Sequence, residues 1–214
     1  MVRVHVLVEG QTEEMFVKEV LLPHFNGLEL YLTPWLAGKH GGIGRYERDR
    51  GDLLKRLKQD RSAFCTMMVD YYGMPTSWPE RETAAGDPEV IEQAILADIS
   101  NAMGRGFDPA RFIPYVQMHE FEALLFSDPK ALADGLASVD EATVRAIRDQ
   151  VATPEEIDDD PQTAPSKRIE RLDSSYQKVN DGILIAQRIG LNVMREECPH
   201  FHEWIQRLET LAND

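Results

Sequence analysis

The spacing of apolar residues changes several times along the chain, and each change marks an element. Arg3 to Val8 is valine-rich and partly alternating, as in a buried strand. It stops at Glu9-Gly10. Thr12 then suits a helix N-cap, Glu13 and Glu14 its first turn, and Met15, Phe16, Val20 and Leu21 its apolar face, with Pro23 near its end. Leu28 to Trp35 reads as a second strand, residues 39–45 as a flexible basic loop, Asp52 to Gln59 as a helix, and Ala63 to Val69 as a third strand. Prolines and glycines make Met74 to Asp87 a long loop. Glu89 to Met103 has helical spacing, and Phe112 to Met118 is strand-like, ending at His119-Glu120. Helices are expected near 129–137, 140–151, 167–189 and 198–211, with residues 155–161 as an acidic loop. The tail from Pro165 to Leu211 is expected to be helical and to pack on the sheet, with Ile169, Leu172, Tyr176, Val179, Ile183 and Ile185 as an apolar face.

Strands alternating with helices imply an α/β fold, with a mostly parallel sheet flanked by helices. The expected organisation is a core over residues 1–126 and a helical C-terminal extension over 127–214, packed as a single compact unit. Function in such sheets gathers at the carboxyl ends of the strands. Three expected strands end in an acid: Glu9, Asp70 and Glu120.

Composition narrows the choices. With 23 basic and 37 acidic residues the net charge is −14, so bulk positive charge cannot be what grips a nucleic acid. A local basic strip or bound divalent cations remain compatible with that charge. No apolar run reaches the roughly 18 residues of a membrane helix. Cys65 and Cys198 are the only cysteines, so no disulfide framework is implied and a reducing cytoplasm fits.

Each motif has two readings. Glu9 and Glu13 are either a carboxylate pair at a strand–turn–helix junction, or a solvated turn acid and a helix-dipole partner. Asp70 is either a ligand or an ordinary turn aspartate after an apolar strand. In His119-Glu120-Phe121-Glu122-Ala123-Leu124-Leu125-Phe126 the acids Glu120 and Glu122 are either ligands or first-turn dipole partners, and His119 is a cap or core histidine. Carboxylate oxygens are the hard ligands that Mg²⁺ prefers. Pro165-Ser166-Lys167-Arg168 opens a helix that also holds Arg171 and Lys178. Its cations are either a solvated face or a phosphate clamp in which Lys167 and Arg168 orient a scissile strand. The loop from Lys39 to Arg50 is a second basic candidate. Walker-type and Gly-x-Ser-x-Gly motifs are absent.

Val8-Glu9-Gly10-Gln11-Thr12-Glu13, followed by a strand ending at Asp70, resembles the Toprim domain of topoisomerases, primases and OLD-family nucleases. The OLD version is the nearest pattern, in which both glutamates serve metal sites. The whole chain also resembles an uncharacterised Toprim-like bacterial family, through Asp70-Tyr71-Tyr72-Gly73, the stretch from His119 to Phe126, Ala164 to Arg168, and Cys198-Pro199-His200-Phe201. The resemblance implies a Toprim-like, Rossmann-like core and Mg²⁺- or Mn²⁺-dependent hydrolysis of nucleic-acid phosphodiesters, with DNA the expected substrate. Glu9, Asp70 and Glu120 or Glu122 would be ligands, Glu13 would stand behind them or at a second metal, and Lys167, Arg168 and Lys39 would meet the phosphate. It also implies an OLD-like ATPase partner subunit in a phage-defence setting. One departure stands out: many Toprim domains have Asp-x-Asp where this chain has Asp70 and Tyr72. The alternatives are a non-catalytic partner or regulatory module of an ATPase, and a small-molecule phosphohydrolase.

Overall fold

A computed structural model describes residues 1–38, 41–157, 160 and 162–213. Five strands form one sheet: β1 (Val2–Val8), β2 (Leu30–Leu36), β3 (Phe64–Asp70), β4 (Phe112–Ile113) and β5 (Val116–Gln117). Every pairing is parallel, in the order β2-β1-β3-β4, with β5 also beside β3. The chain leaves β1 toward β2, then crosses back to β3 on β1's other side. Such a reversal opens a crevice at the carboxyl ends of the two central strands.

The strand expected over Phe112 to Met118 is interrupted. Pro114 has no N–H to give to β3, so the ladder stops at Ile113 and resumes at Val116. The register survives, since Thr66 faces Ile113 and Val69 faces Val116.

Helices cover both faces, because alternate strand residues feed two separate cores. Val4, Val6 and Val8 pack with α1 (Gln11–Phe16), a π-helical turn (Val17–Leu21) and α2 (Leu22–Asn26). Leu7, Cys65, Met67 and Val69 pack with α3 (Tyr46–Gln59) and α4 (Pro88–Met103). The first core also takes in α5 (Pro129–Gly135), α6 (Glu141–Arg148), α7 (Pro165–Leu172), α8 (Asn180–Ile189), α9 (Leu191–Glu197) and α10 (Pro199–Thr210). Sheet and tail therefore share one apolar interior.

Several elements differ from the expectation. The helix expected from 52 begins at Tyr46, because Asp49, fully buried, accepts from Gly44 N (2.8 Å) and from Arg48 Nε (2.7 Å) and so anchors a turn that reads as a polar loop. The helix expected over 167–189 breaks after Leu172. There Asp173 accepts from Ser175 N (2.9 Å), Ser175 Oγ (2.6 Å) and Ala137 N (2.7 Å), so its side chain competes with the helix for backbone donors. Cys198 is extended ahead of Pro199, as a residue before proline prefers, which separates α9 from α10. The stretch Phe121–Ser127 is a 3₁₀ helix. Of the acidic loop, Asp158, Asp159 and Pro161 lie outside the described residues, and residues 154–156 form one 3₁₀ turn.

Both cysteines are buried and free, and they belong to the two different cores. No described helix is long and apolar enough to cross a membrane.

Trp204 of α10 stacks on Tyr115 (4.3 Å between centroids, 7° between planes), and its Nε1 donates to Thr66 Oγ1 at 2.8 Å. Removing that ring should leave a cavity where tail meets sheet. Trp204→Ala should cost about 3–5 kcal/mol in urea unfolding. The transition should stay single in the wild type, since both parts share a core. Two resolved transitions would show that tail and sheet fold apart.

Candidate functional site

Parallel pairing sets the first two acids side by side. Val8 faces Met68 across the ladder, so Glu9, one residue on, and Asp70, two residues on, stand at adjoining strand ends. Asp70 N donates to Glu9 Oε2 at 3.2 Å. Gly10 turns the chain into α1 and gives its N–H to Glu13 Oε2 at 2.8 Å, which folds the Glu13 carboxylate back beneath the turn. The loop after β2 closes over this turn, with Gly42 N donating to Glu9 O at 2.6 Å. Gly41 is left-handed there, at φ +85°, and a Cβ on it would lie 3.2 Å from Glu9 O, so glycine is required.

The second pair arrives from β5. Tyr71 N donates to Gln117 O and Tyr72 N to His119 O, which carries the parallel pairing past Asp70 and brings Glu120 to the same edge of the sheet. His119 has φ +47°, a strained geometry for a non-glycine residue, just where the chain swings into the 3₁₀ helix. Glu120 is buried, and both its oxygens are engaged by α7: Ser166 N donates at 2.9 Å and Ser166 Oγ at 3.0 Å. Glu122 is wholly buried and faces Lys178, whose Nζ lies 3.0 Å from Glu122 Oε2 and 3.9 Å from Glu120 Oε1.

Burial and mutual charge act together on these groups. Burial, then the charge of Glu13, pushes Glu9 up to about 7. Burial also raises Glu13. Asp70 is held well above the usual carboxylate range by burial and by Glu13, Glu9 and Glu122. Burial takes Glu122 up to about 7 although Lys178 opposes it. Burial disfavours the charge on Lys178, yet Glu122, Glu120 and Asp70 outweigh it and keep this ammonium protonated more firmly than a free lysine.

Glu9, Glu13, Asp70, Glu120 and Glu122 are thus brought to one edge of the sheet. Lys167 is not among them. It is exposed on α7, with its ammonium 2.6 Å from Glu170, though still within electrostatic reach of Glu120. Arg168 Nε donates to Thr163 O at 2.6 Å, a bond that ties down the start of α7. Lys39 lies outside the described residues, as does His40. Lys178 is the cation that sequence reasoning placed on a helix face. It sits instead in the turn after the unexpected break, and the break itself had no apolar signal to betray it.

Carboxylate oxygens are the donor type that a hard divalent cation prefers. Asp70 Oδ1 and Glu122 Oε1 are buried without a hydrogen-bond partner among the described residues, and every donor is a carboxylate oxygen. Among the described residues no three His, Cys, Asp or Glu side chains stand in a ready chelating group. The acids are drawn toward backbone amides and Lys178.

A family profile described as "Domain of unknown function (DUF4276)" matches residues 8–209. The chain belongs to this family. No curated protein matches it. Among solved structures it is similar to the C-terminal region of the Xanthomonas campestris pv. campestris OLD protein, at 16% identity and a TM-score of 0.49, over 99% of this chain and 94% of that one.

Folded Glu9 and Glu122 keep protons that the unfolded chain, with ordinary values near 4.5, releases. Over that window the native state binds more protons, so stability is full at low pH and is lost as pH rises through about 7. In metal-free buffer the melting temperature should therefore fall between about pH 5 and pH 8, and Glu122→Gln should flatten the fall. Mn²⁺ should restore more at the upper end than at the lower, because it binds the deprotonated acids. A melting temperature that climbs across this window without metal would contradict the buried cluster.

Proposed function

We propose that the chain is a Mg²⁺- or Mn²⁺-dependent phosphodiesterase acting on nucleic acid, with DNA the expected substrate. The single observation that carries this reading is the convergence of Glu9, Glu13, Asp70 and Glu122 at the switch point of a parallel sheet, with unpartnered carboxylate oxygens and Lys178 facing them. Glu9 and Asp70, with Glu122 or Glu13, would hold the cation. When bound, it supplies Lewis-acid charge to the phosphate and to the leaving oxygen.

The remaining roles fall to the chain. A carboxylate of this set that is left free of the cation would accept the proton of an attacking water. Lys178 carries a firm positive charge beside the acids and is placed to balance a phosphate oxygen entering the crevice. Glu120 holds Ser166 and so fixes the start of α7, which presents Lys167 at the rim. The two most unusual motifs are therefore two halves of one contact, and Glu120 acts first as a positioning residue.

A second reading, a non-catalytic partner or regulatory subunit of an ATPase, is favoured by one observation. Glu120 is already occupied by Ser166, and Glu122 by Lys178, so part of the acid set is satisfied without metal.

Plasmid nicking with Mg²⁺ or Mn²⁺ separates the two, run with and without a candidate OLD-like ATPase. Glu9→Gln should lower the rate by roughly 10²-fold or more, and Lys178→Met by a similar factor, since both remove charge at the reacting centre. Lys167→Ala should instead weaken substrate binding and lower the salt dependence by about one phosphate contact. Wild type and Glu9→Gln behaving alike under every condition would select the non-catalytic reading.

A further inference from the structure

At the opposite edge of the sheet, before β3 and β4 begin, lies a cleft of about 340 Å³. We propose that it binds a nucleotide, through its phosphate on Lys58, Arg61 and Arg105 and its base on Phe107. The proposal is independent of the carboxylate site, which lies a strand length away, about 20 Å at roughly 3.3 Å per residue.

Charge carries the first half of the argument. The chain has 23 basic residues against 37 acidic ones, yet this cleft is lined by four cations and by no acid. Among the described residues Lys58, Arg61 and Arg105 are exposed and make no ion pair or hydrogen bond through their side chains. The nearby acids are engaged elsewhere. Asp60 pairs with Arg3 (2.9 Å) and meets His5 (3.3 Å), while Asp108 accepts from Ala110 N (3.0 Å). Three unneutralised cations around one concavity repel one another, and an anion relieves that repulsion. Guanidinium forks suit a phosphate, which they can grip through two oxygens at once.

Rigidity and apolar surface carry the second half. Arg111 is half-buried and pinned, its Nη2 donating to Leu57 O (3.2 Å), Asp60 O (2.9 Å) and Ala63 O (3.0 Å), so one wall of the cleft is fixed. Its Cζ lies 5.7 Å from the centroid of the Phe107 ring. Phe107 and Met103 are half-buried, leaving apolar surface next to the cations. A phosphate alone needs no such floor. A planar base does, since every base has a face to stack. The volume is at the small end of ligand sites, enough for one nucleotide unit.

The same chemistry can come from a free nucleotide or from one residue of a strand, and calorimetry with three probes distinguishes them. AMP, inorganic phosphate and an oligothymidine would each be titrated into the full chain in EDTA, at roughly 50 mM salt. EDTA silences metal-mediated binding at the carboxylates. Tight AMP binding identifies a free nucleotide, and binding of oligothymidine alone identifies a strand. In either case Arg61→Glu with Arg105→Glu should lower affinity at least tenfold at unchanged melting temperature, because both side chains are exposed. Phe107→Ala should weaken AMP or oligothymidine and leave inorganic phosphate unaffected. No binding of AMP or oligothymidine, or binding indifferent to the double variant, overturns the site. Equal loss of phosphate and nucleotide on Phe107→Ala overturns the stacking assignment.

Discussion

Five carboxylates share the carboxyl edge of one small sheet, and four of them, Glu13, Asp70, Glu120 and Glu122, are buried. Removing an anion from water is costly unless it is paired, hydrogen-bonded or protonated. The chain uses all three remedies. Backbone amides of Gly10 and Asp70 serve Glu13 and Glu9, Ser166 serves Glu120, and Lys178 serves Glu122. Protonation takes up the remainder, with Glu9 and Glu122 shifted to about 7. A divalent cation that replaced the protons would stabilise acids kept in this state, and that exchange would link fold stability to the proposed chemistry.

The same constraint explains why the helical tail is part of the site. Ser166 and Lys178 both come from beyond residue 126, and without them Glu120 and Glu122 would be buried anions with few partners. Unpaired buried charges destabilise far more than a formed pair stabilises. The tail's place is further fixed by the Trp204–Thr66 bond and by Gly182, whose missing side chain lets α8 approach the Phe121 ring (3.6 Å from where a Cβ would stand). The break at Asp173 now has a purpose. An uninterrupted helix would keep Lys178 on a helical face, whereas the turn before α8 lets it reach the acids.

Legibility in the sequence followed the strength of the local signal. β1, β3 and α4 have long apolar patterns of one period, and they form within a residue or two of where the pattern places them. Glu9, Asp70 and Glu120 could be named because a strand end followed by an acid needs only that coarse pattern. What escaped notice depends on partners distant in sequence. Asp49 anchors the turn ahead of a polar helical stretch through Gly44 N, and Asp173 ends a periodic stretch by taking its donors. Lys178 looked like any cation on a helix, and its role rests on Glu122, 56 residues earlier. Glu120 was legible as a position but not as a contact, because its partner Ser166 is 46 residues away.

Strand direction also sorts charge. A parallel sheet has two unlike edges, and here the carboxyl edge collects the acids while the amino edge collects Lys58, Arg61, Arg105 and Arg111. A chain of net charge −14 repels a polyanion at long range, so any encounter depends on local exceptions. Long-range repulsion is screened beyond about 8 Å at physiological salt, whereas a cleft of clustered cations acts at contact. A divalent cation among the acids would lower the negative charge at the other edge. The cation-lined cleft at the amino edge and the carboxylate cluster at the carboxyl edge thus carry opposite local charge. This arrangement favours few, fixed contacts over diffuse binding along a strand.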